Sequence, residues 1–554
     1  MHVLARPPFK LDPIAISWVE QTLASLSADE MVAQLFVLLS FSSSPEELAL
    51  LRRQQPGGIT KVFGPDATAE ISFIDAFAKA SKVPPLVSSD LEGSRMSVPF
   101  GTQVLNPLGL AAIDDLEATR TIAHIMAAEA RALGITWSFT PVIDINQAFR
   151  SAIVGTRSFG SDPERVAKHA MAQVEVFQAA GIAATVKHWP GEGYDDRDQH
   201  LVTTINPLSL SEWEATFGKL YRRAIAGGVM SIMSGHIAFP AFMRSLDPDC
   251  GIEAFRPASI NRALNITLLR EKLGFNGLIV SDATPMAGLG SWCGVTEYMP
   301  ALIANGCDVI LFSDAPDRDM ANVWAAVASG VIGTGRLNEA VTRILGLKAA
   351  VGLHKRPVIE PATALQRAQR TPQSTATADT ITARAPTLVK DVQGLLPLDP
   401  ARHRRVLIIT NHINFPFRPA PIPFALPAML EAEGFVVTMM EKRLKPSRDQ
   451  FDLVLYLLGD ESLLTRSRLF VDWMKMTGDF HGAMHRTWHE IPTAMISFGH
   501  PYYLYDAPRV PTYINAYSTL ETMQRAVVEA LLGRVPWNRK NPVDPFCGLE
   551  DARY

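Results

Sequence analysis

Short apolar runs rich in β-branched residues alternate with amphipathic stretches of helical period over residues 31–351. A run of about four to eight apolar residues predicts a buried strand, and apolar positions three or four apart predict a helix. Eight strands are predicted, at residues 32–39, 58–63, 85–89, 136–142, 183–187, 230–234, 277–281 and 308–312. Helical periodicity is clearest at residues 116–133, 163–180, 211–226, 260–273 and 337–349. This alternation predicts an α/β fold, and the count of eight favours a closed (β/α)8 barrel of the TIM type over an open doubly wound sheet.

The barrel pattern ends near residue 351, and a second pattern of buried strands begins after residue 386. Residues 352–385 are rich in Pro, Thr, Ala, Gln and Arg and contain no run that could fill a core, so we interpret them as a linker. Beyond the linker, strands are predicted at residues 406–410, 453–458, 493–498 and 512–516, and helices at 425–433 and 520–532. We therefore expect a catalytic barrel over residues 1–351 and a smaller three-layer α/β sandwich domain over 386–554.

The composition narrows the class of partner. The chain has 52 basic and 56 acidic side chains and a net charge of −4, without the basic cluster of a nucleic-acid binder. The four cysteines are too far apart for a metal motif or a disulfide scaffold, and we predict neither a cofactor nor a bound metal. Residues 1–18 lack the apolar stretch of a signal peptide, and we expect a cytoplasmic protein that acts on carbohydrate without contacting a membrane. No pattern indicates an oligomeric state.

Polar residues follow five of the predicted strands. They are Asp90 and Glu92, then Asp144, then Lys187, His188, Trp189 and Glu192, then His236, and finally Asp282. The active site of a (β/α)8 barrel lies at the carboxyl ends of its strands, so these side chains should share one rim. Taken alone, each carboxylate could cap a helix, and each histidine could be a buried residue with its hydrogen bonds made inside the protein. Together they suit a sugar, whose hydroxyls pair with charged groups and whose ring packs on an aromatic side chain.

Two of these segments resemble glycoside hydrolase family 3, and within it the bacterial β-N-acetylglucosaminidases. Residues 187–193 read KHWPGEG and are followed by Asp198-Gln199-His200, which is similar to that subgroup's KHFPGHG with a downstream Asp-Ser-His. Residues 274–282 read GFNGLIVSD, with Met286 four residues on, and resemble the segment that carries the family's nucleophile. Weaker similarities at residues 90–95, 155–160, 257–259, 388–398 and 498–502 extend the resemblance over both domains.

The resemblance implies a retaining double displacement in which Asp282 attacks the anomeric carbon and forms a covalent glycosyl-enzyme. Lys187 or Arg157 would help to keep this carboxylate ionised. The resemblance assigns the proton donor to His200, on a loop after the fifth strand, with Asp198 orienting its ring. An adjacent carboxylate favours a protonated histidine, which can then deliver its proton to the leaving oxygen.

The resemblance also implies a set of residues that bind the sugar, listed here as Asp90, Arg157, Lys187, His188, His236 and Met286. Three positions depart from the family pattern. Glu192 stands where the family has histidine, Trp189 where it has phenylalanine, and Val98 where a sugar-contacting arginine is usual. Because of these departures, the substrate specificity of the pocket follows less directly from the resemblance than the mechanism does.

Four functions are compatible with these residues. The first is a β-N-acetylhexosaminidase that releases N-acetylglucosamine from β-linked cell-wall or chitin fragments. The others are a β-glucosidase-type exo-hydrolase with its acid in the second domain, a phosphorylase, and a catalytically inert sugar-binding module. The pair Asp198 and His200 argues against a second-domain acid. We expect water rather than phosphate as the acceptor, because an ionised Glu192 would repel phosphate.

Overall fold

The predicted barrel is confirmed in a computed structural model, which describes residues 3–356, 361–416, 418–442 and 444–554. Its eight parallel strands are β1 (Phe36–Ser40), β2 (Gly58–Lys61), β3 (Leu86–Ser89), β4 (Trp137–Ser138), β5 (Ala183–Trp189), β6 (Ser231–Ser234), β7 (Leu278–Ala283) and β8 (Val309–Leu311). Each strand pairs with its neighbours in sequence, and β8 closes on β1 with Phe36 opposite Ile310. All eight carboxyl ends therefore meet at one rim.

Helices surround this barrel. They are Pro13–Ser25, Ala28–Gln34, Pro45–Gln54, Ala67–Ala80, Pro107–Ile113, Leu116–Ala132, Pro163–Ala179, Leu210–Trp213, Lys219–Ala226, Pro240–Leu246, Ala287–Gly290, Val295–Ala304, Pro316–Ala328 and Thr334–Ala350. Several begin at a side-chain cap, as where Asp162 accepts the Glu164 amide and Pro163 occupies the first position. Within the described ranges, no helix is both long and apolar enough to cross a membrane.

Some predicted elements differ from the observed ones. The first predicted strand, 32–39, begins only at Phe36, because a capping box between Ser27 and Glu30 starts a helix that runs to Gln34. The fourth, 136–142, keeps strand structure only at Trp137–Ser138; Pro141 has no N–H to donate farther along. The predicted helices 211–226 and 260–273 contain π-helical segments at Glu214–Gly218 and Ala263–Lys272.

The second domain is built on a six-stranded mixed sheet. Its strands are β9 (Thr387–Asp391), β10 (Arg405–Asn414), β11 (Val436–Met439), β12 (Leu453–Asp460), β13 (Thr493–Ser497) and β14 (Thr512–Asn515), in the order β9-β14-β13-β12-β10-β11. Only the β9–β14 pair is antiparallel among these. The edge strands β9 and β11 were not among the predicted strands.

Both faces of this sheet are covered, which confirms the three-layer arrangement. Alternate residues of β10 enter different hydrophobic clusters, Val406 and Ile408 on one face and Leu407 and Ile409 on the other. The first face packs on helices Leu426–Ala432 and Glu521–Leu531, and the second on helix Trp473–Thr477, which in turn contacts helix Phe480–Met484.

The segment interpreted as a linker contains two helices, Pro361–Ala368 and Pro372–Thr382. The first packs on helix Leu116–Ala132 of the barrel, and the second also contacts helix Glu521–Leu531 of the second domain. Alanine has the highest helix propensity, so a segment with few large apolar residues can still be helical. Residues 357–360 of the expected linker lie outside the described residues, and the domain limits at 351 and 386 stay predictions.

Candidate active site

A buried network of charges occupies the rim above β3 and β5. Lys187 Nζ lies 2.7 Å from Asp90 Oδ1 and 2.9 Å from Glu92 Oε1. Arg157 donates two hydrogen bonds to Glu92, 2.8 Å from Nε and 2.9 Å from Nη2. Glu92, Lys187 and Arg157 are buried, whereas the side chain of Asp90 is 33% exposed. Asp90 is therefore the member of this network with the most surface available to a ligand.

The charges in this network stabilise one another. Burial opposes ionisation of Glu92, but Arg157 and Lys187 hold its pKa well below the ordinary range. Burial likewise disfavours the ammonium of Lys187, but Asp90 and Glu92 raise its pKa above the ordinary value. Glu92, Lys187 and Arg157 therefore stay charged although all three are buried.

Asp282 lies next to the last residue of strand β7 and faces three histidines. Its Oδ1 accepts the Ala283 amide at 2.8 Å, and its Oδ2 lies 4.0 Å from His188 Nε2. Burial opposes ionisation of Asp282, but His188, His236 and His200 favour it, and its pKa lies below the ordinary value. We expected Lys187 or Arg157 to perform this task, but both are engaged by Glu92. Asp282 is thus an ionised carboxylate without a salt bridge to Lys or Arg among the described residues.

His188 belongs to a second buried cluster, with Asp144 and Glu192. Its Nδ1 donates to Asp144 Oδ2 at 2.6 Å and lies 3.7 Å from Glu192 Oε2. Asp144 Oδ1 accepts the backbone amides of His188 and Glu192. Within the described part of the chain, these are the only three side chains grouped closely enough to hold a metal ion. Their hydrogen bonds already occupy the atoms that would ligate one.

Glu192 is in an environment that disfavours its charge. Burial comes first among the causes, and Asp144 and Asp198 add like-charge repulsion, so its pKa is raised well above the ordinary value. Its oxygens accept hydrogen bonds from the Gln199 amide at 3.1 Å and the Thr204 hydroxyl at 3.4 Å. Burial and the neighbouring carboxylates therefore favour the protonated, neutral form of Glu192.

Asp198 and His200 form a hydrogen-bonded pair on the loop after β5. His200 Nδ1 lies 2.7 Å from Asp198 Oδ1, which also accepts the His200 backbone amide at 2.9 Å. The second carboxylate oxygen of Asp198 accepts the amide of Thr465, a residue of the second domain, at 2.9 Å. Asp198 is buried and the His200 side chain is 23% exposed, so the imidazole lies at the edge of the site.

Gln199 connects the same loop to the strand ends of the barrel through hydrogen bonds. Its amide nitrogen donates to Glu192, and its oxygen accepts the His236 backbone amide at 2.8 Å. The carbonyl of His200 accepts the Ala287 amide at 3.0 Å. The loop that carries His200 is therefore fixed by β-strand ends beneath it and by the second domain above it.

The family follows from the sequence that builds this geometry. Residues 27–347, which carry the whole barrel and all the groups above except Thr465, match the model of the glycosyl hydrolase family 3 N-terminal domain. The chain belongs to glycoside hydrolase family 3. It is a family 3 glycosidase, and its substrates are β-linked sugars.

Known relatives extend the similarity of this family 3 glycosidase to its full length. A Cellulomonas fimi protein named β-N-acetylglucosaminidase/β-glucosidase is 39% identical over 567 aligned residues, covering 99% of each chain. A Nitrosomonas eutropha β-hexosaminidase is 31% identical over 261 residues, 46% of this chain and 72% of that relative. The structure of a β-glucoside phosphorylase bound to 2FGlc, 34% identical, superposes with a TM-score of 0.91 over 99% of both chains.

Four other residues discussed from sequence are buried in the family 3 barrel: His236, Trp189, Met286 and Val98. His236 is fully buried, and its ring nitrogens pair with Ser259 Oγ at 2.8 Å and the Ala283 carbonyl at 3.0 Å. Trp189 packs against Trp213 and Tyr221 on the helix side of β5, so it is not the aromatic platform that we expected. Met286 and Val98 are buried apolar side chains.

Five residues of this glycosidase are important in the structure but were not predicted as site residues: Glu92, Asp144, Gln199, Glu461 and Thr465. Glu92 and Asp144 follow predicted strands, and this position at the rim could have identified them as site residues. Gln199 lies between two residues assigned by resemblance. Glu461 and Thr465 follow strand β12 of the second domain, and nothing local in the sequence connects them to the barrel.

We expect Glu192→Gln to become increasingly more stable than the wild type as the pH rises from 5 to 8. The raised pKa means that the folded protein keeps the Glu192 proton, whereas the unfolded chain releases it above about pH 4.5. Wild-type stability is therefore lost with rising pH by up to about 1.4 kcal/mol per pH unit until the folded pKa is reached, and glutamine does not titrate. Urea unfolding at four pH values measures the difference.

Glu175→Gln is the matched control, because the Glu175 side chain is 71% exposed. Its difference from the wild type should be small and independent of pH. A pH-independent difference for Glu192→Gln as well would mean that Glu192 is ionised in the folded enzyme.

Proposed function

We propose that this family 3 glycosidase is a retaining β-N-acetylglucosaminidase that also accepts β-glucosides and removes the terminal sugar from β-linked cell-wall or chitin fragments. The observation that carries the proposal is the hydrogen-bonded pair of Asp198 and His200 beside the ionised Asp282. The double name of the Cellulomonas fimi relative supports both sugars as substrates.

In the first step Asp282 attacks the anomeric carbon, and the bond from that carbon to the leaving oxygen breaks. An ionised carboxylate with one amide hydrogen bond is suited to this attack, because its charge is not neutralised by a lysine or arginine. His200 transfers its proton to the leaving oxygen, and Asp198 stabilises the imidazolium and fixes the orientation of its ring.

In the second step the neutral His200 takes a proton from the incoming acceptor, which attacks the glycosyl-enzyme and releases Asp282. The acid and the base are the same residue, so both steps use the same face of the sugar, and the β configuration is retained.

A β-glucosidase-type acid in the second domain is less well supported. Glu461 is the second-domain carboxylate that reaches the rim, but four hydrogen bonds occupy its oxygens. They come from the Ser94 hydroxyl, the Asn106 amide, and the Thr519 amide and hydroxyl. A carboxylate in this position fastens the two domains together and has no free oxygen directed at a sugar.

We expect Asp282→Ala to lower turnover of aryl glycosides by several orders of magnitude, because no other group can supply the attacking oxygen. Added azide should partly restore activity by entering the space left on the α face, and the product should be the α-glycosyl azide. NMR of the product measures this. Near-normal hydrolysis by the variant would refute the assignment of Asp282 as the nucleophile.

We expect His200→Ala to slow the cleavage of β-linked disaccharides far more than that of dinitrophenyl glycosides, because protonation matters most for a basic leaving oxygen. Asp198→Asn should act in the same direction but more mildly. With the activated substrate, azide should now give the β-glycosyl azide. The exposed His124 offers a control, and His124→Ala should change neither rate. Equal losses on both substrate classes would assign His200 to binding or folding.

Phosphorolysis is a second candidate, and the state of Glu192 favours it. Our expectation that water rather than phosphate is the acceptor assumed an ionised Glu192, but burial and neighbouring carboxylates raise its pKa. A neutral carboxyl group does not repel phosphate, and the histidine acid/base adds no second anionic group at the site of attack. The overall similarity to a β-glucoside phosphorylase points the same way.

We expect phosphate to compete with water, so that β-glycosyl 1-phosphate forms beside the free sugar in a proportion that rises with phosphate concentration. Phosphorus NMR and sugar analysis at constant ionic strength measure the ratio, with sulfate as the control anion. Glu192→Gln should give the same ratio as the wild type, because both side chains are neutral. If only free sugar forms at every phosphate concentration, the enzyme is a hydrolase and this second candidate fails.

A further inference from the structure

A cleft lined by three arginines lies between the barrel and the second domain. Its volume is about 780 Å³, which is within the range of small-molecule sites. Arg150 comes from the barrel, and Arg466 and Arg468 come from the second-domain loop of residues 461–472. We call it the arginine cleft. Asp506 is the one acidic residue in its lining, and it accepts the Val471 amide at 2.9 Å. The cleft therefore carries a positive net charge.

The arginine cleft adjoins the loop of residues 190–203 after β5, which carries Asp198 and His200 and which we call the acid/base loop. Thr465, whose amide binds Asp198, directly precedes Arg466 in the chain. Arg468 lies 3.8 Å from Asp196, two residues before Asp198. A second cleft, of about 620 Å³, is lined by residues 194–197 of the acid/base loop and shares Phe149, Arg150 and Tyr505 with the first. The arginine cleft thus lies beside the loop that carries Asp198 and His200.

Two aromatic rings and a buried histidine also line the arginine cleft. The rings of Phe149 and Tyr505 lie 4.7 Å apart, and the Arg150 guanidinium is held over the Tyr505 ring at 4.4 Å. His500 also lines the cleft and is buried, and its Nδ1 has no hydrogen-bond partner in the described part of the protein. Burial lowers the pKa of His500 to about 3, so its ring is neutral. An unpartnered buried polar atom is costly, and a ligand hydroxyl would satisfy it.

We propose that the arginine cleft binds the leaving-group part of a β-glycoside that carries a carboxylate or another anionic substituent. Arg466 and Arg468 attract the anion, the Phe149 and Tyr505 rings pack on the saccharide, and His500 accepts or donates a hydrogen bond with a hydroxyl. The inference rests on the proposed function, because the leaving group must lie on the side of the proton donor. It adds a preference for anionic leaving groups that the catalytic residues themselves do not impose.

The test compares two probes that differ in one group. N,N′-Diacetylchitobionate ends in a carboxylate, and N,N′-diacetylchitobiitol has a hydroxymethyl group in its place; the acyclic leaving groups are otherwise alike. We expect kcat/KM of the wild type to be about tenfold or more higher for the chitobionate, the scale of one hydrogen bond to a charged group. Added salt should reduce this preference.

The variant Arg466→Ala/Arg468→Ala should lose the preference and keep the wild-type rate on the neutral probe, since both residues are exposed. Arg466→Glu/Arg468→Glu should reverse it. Arg402→Ala/Arg404→Ala is the matched control, because it removes two exposed second-domain arginines with the same spacing outside the cleft. This control should leave the preference unchanged.

Equal rates of the wild type on both probes, or an intact preference in Arg466→Ala/Arg468→Ala, would overturn the inference. So would a raised KM for phosphate in that variant with the probe preference intact, because the cleft would then serve the free anion. Calorimetry of both probes with Asp282→Ala separates binding from turnover. Arginine-dependent binding of the chitobionate without cleavage of any probe by the wild type would support the cleft and refute the proposed function.

Discussion

Crowding of carboxyl groups is the constraint on which the rest of the active site depends. Six of them converge at the mouth of one barrel: Asp90, Glu92, Asp144, Glu192, Asp198 and Asp282. Buried like charges raise one another's pKa values and oppose folding unless each is paired or protonated. Lys187 and Arg157 neutralise the first pair, Asp144 and Asp198 accept hydrogen bonds from backbone amides and histidines, and burial with like charges favours the protonated form of Glu192. Asp282 is left ionised and least encumbered, which is the state that a nucleophile needs.

The position of Asp198 makes the active site depend on both domains. One oxygen of this carboxylate orients His200, and the other accepts the Thr465 amide from the second domain. The second domain therefore supplies a hydrogen bond to the proposed acid/base pair of Asp198 and His200, whereas its own carboxylate Glu461 accepts hydrogen bonds from Ser94 and Asn106 of the barrel. Separating the domains would remove a positioning contact from the acid/base loop without removing any residue assigned to the chemistry.

The strand ends and the two motifs predict most of the barrel and bring Asp90, Lys187, His188, Asp198, His200 and Asp282 to one rim, as observed. What they miss has physical causes. The side chain of Trp189 cannot be placed by strand alternation, because the register between β5 and β6 shifts between Val186 and Trp189. The neutral state of Glu192 depends on burial and on carboxylates from other segments. The Thr465 contact joins residues 267 apart in sequence, and it uses a backbone amide, so no residue type marks it.

In the proposed mechanism, the arginine cleft and Glu192 influence the two steps of the same reaction. A leaving group held by Arg466 and Arg468 would have to depart before water or phosphate could approach the glycosyl-enzyme, because the proposed acid/base, His200, acts in both steps on one face of the sugar. Tight retention of an anion would speed the first step and delay the second. The same positive field would also concentrate phosphate near the acceptor position, where a neutral Glu192 does not oppose it. Because exposed arginines are screened by salt and a buried carboxyl group is not, ionic strength acts on the cleft while the protonation of Glu192 stays constant.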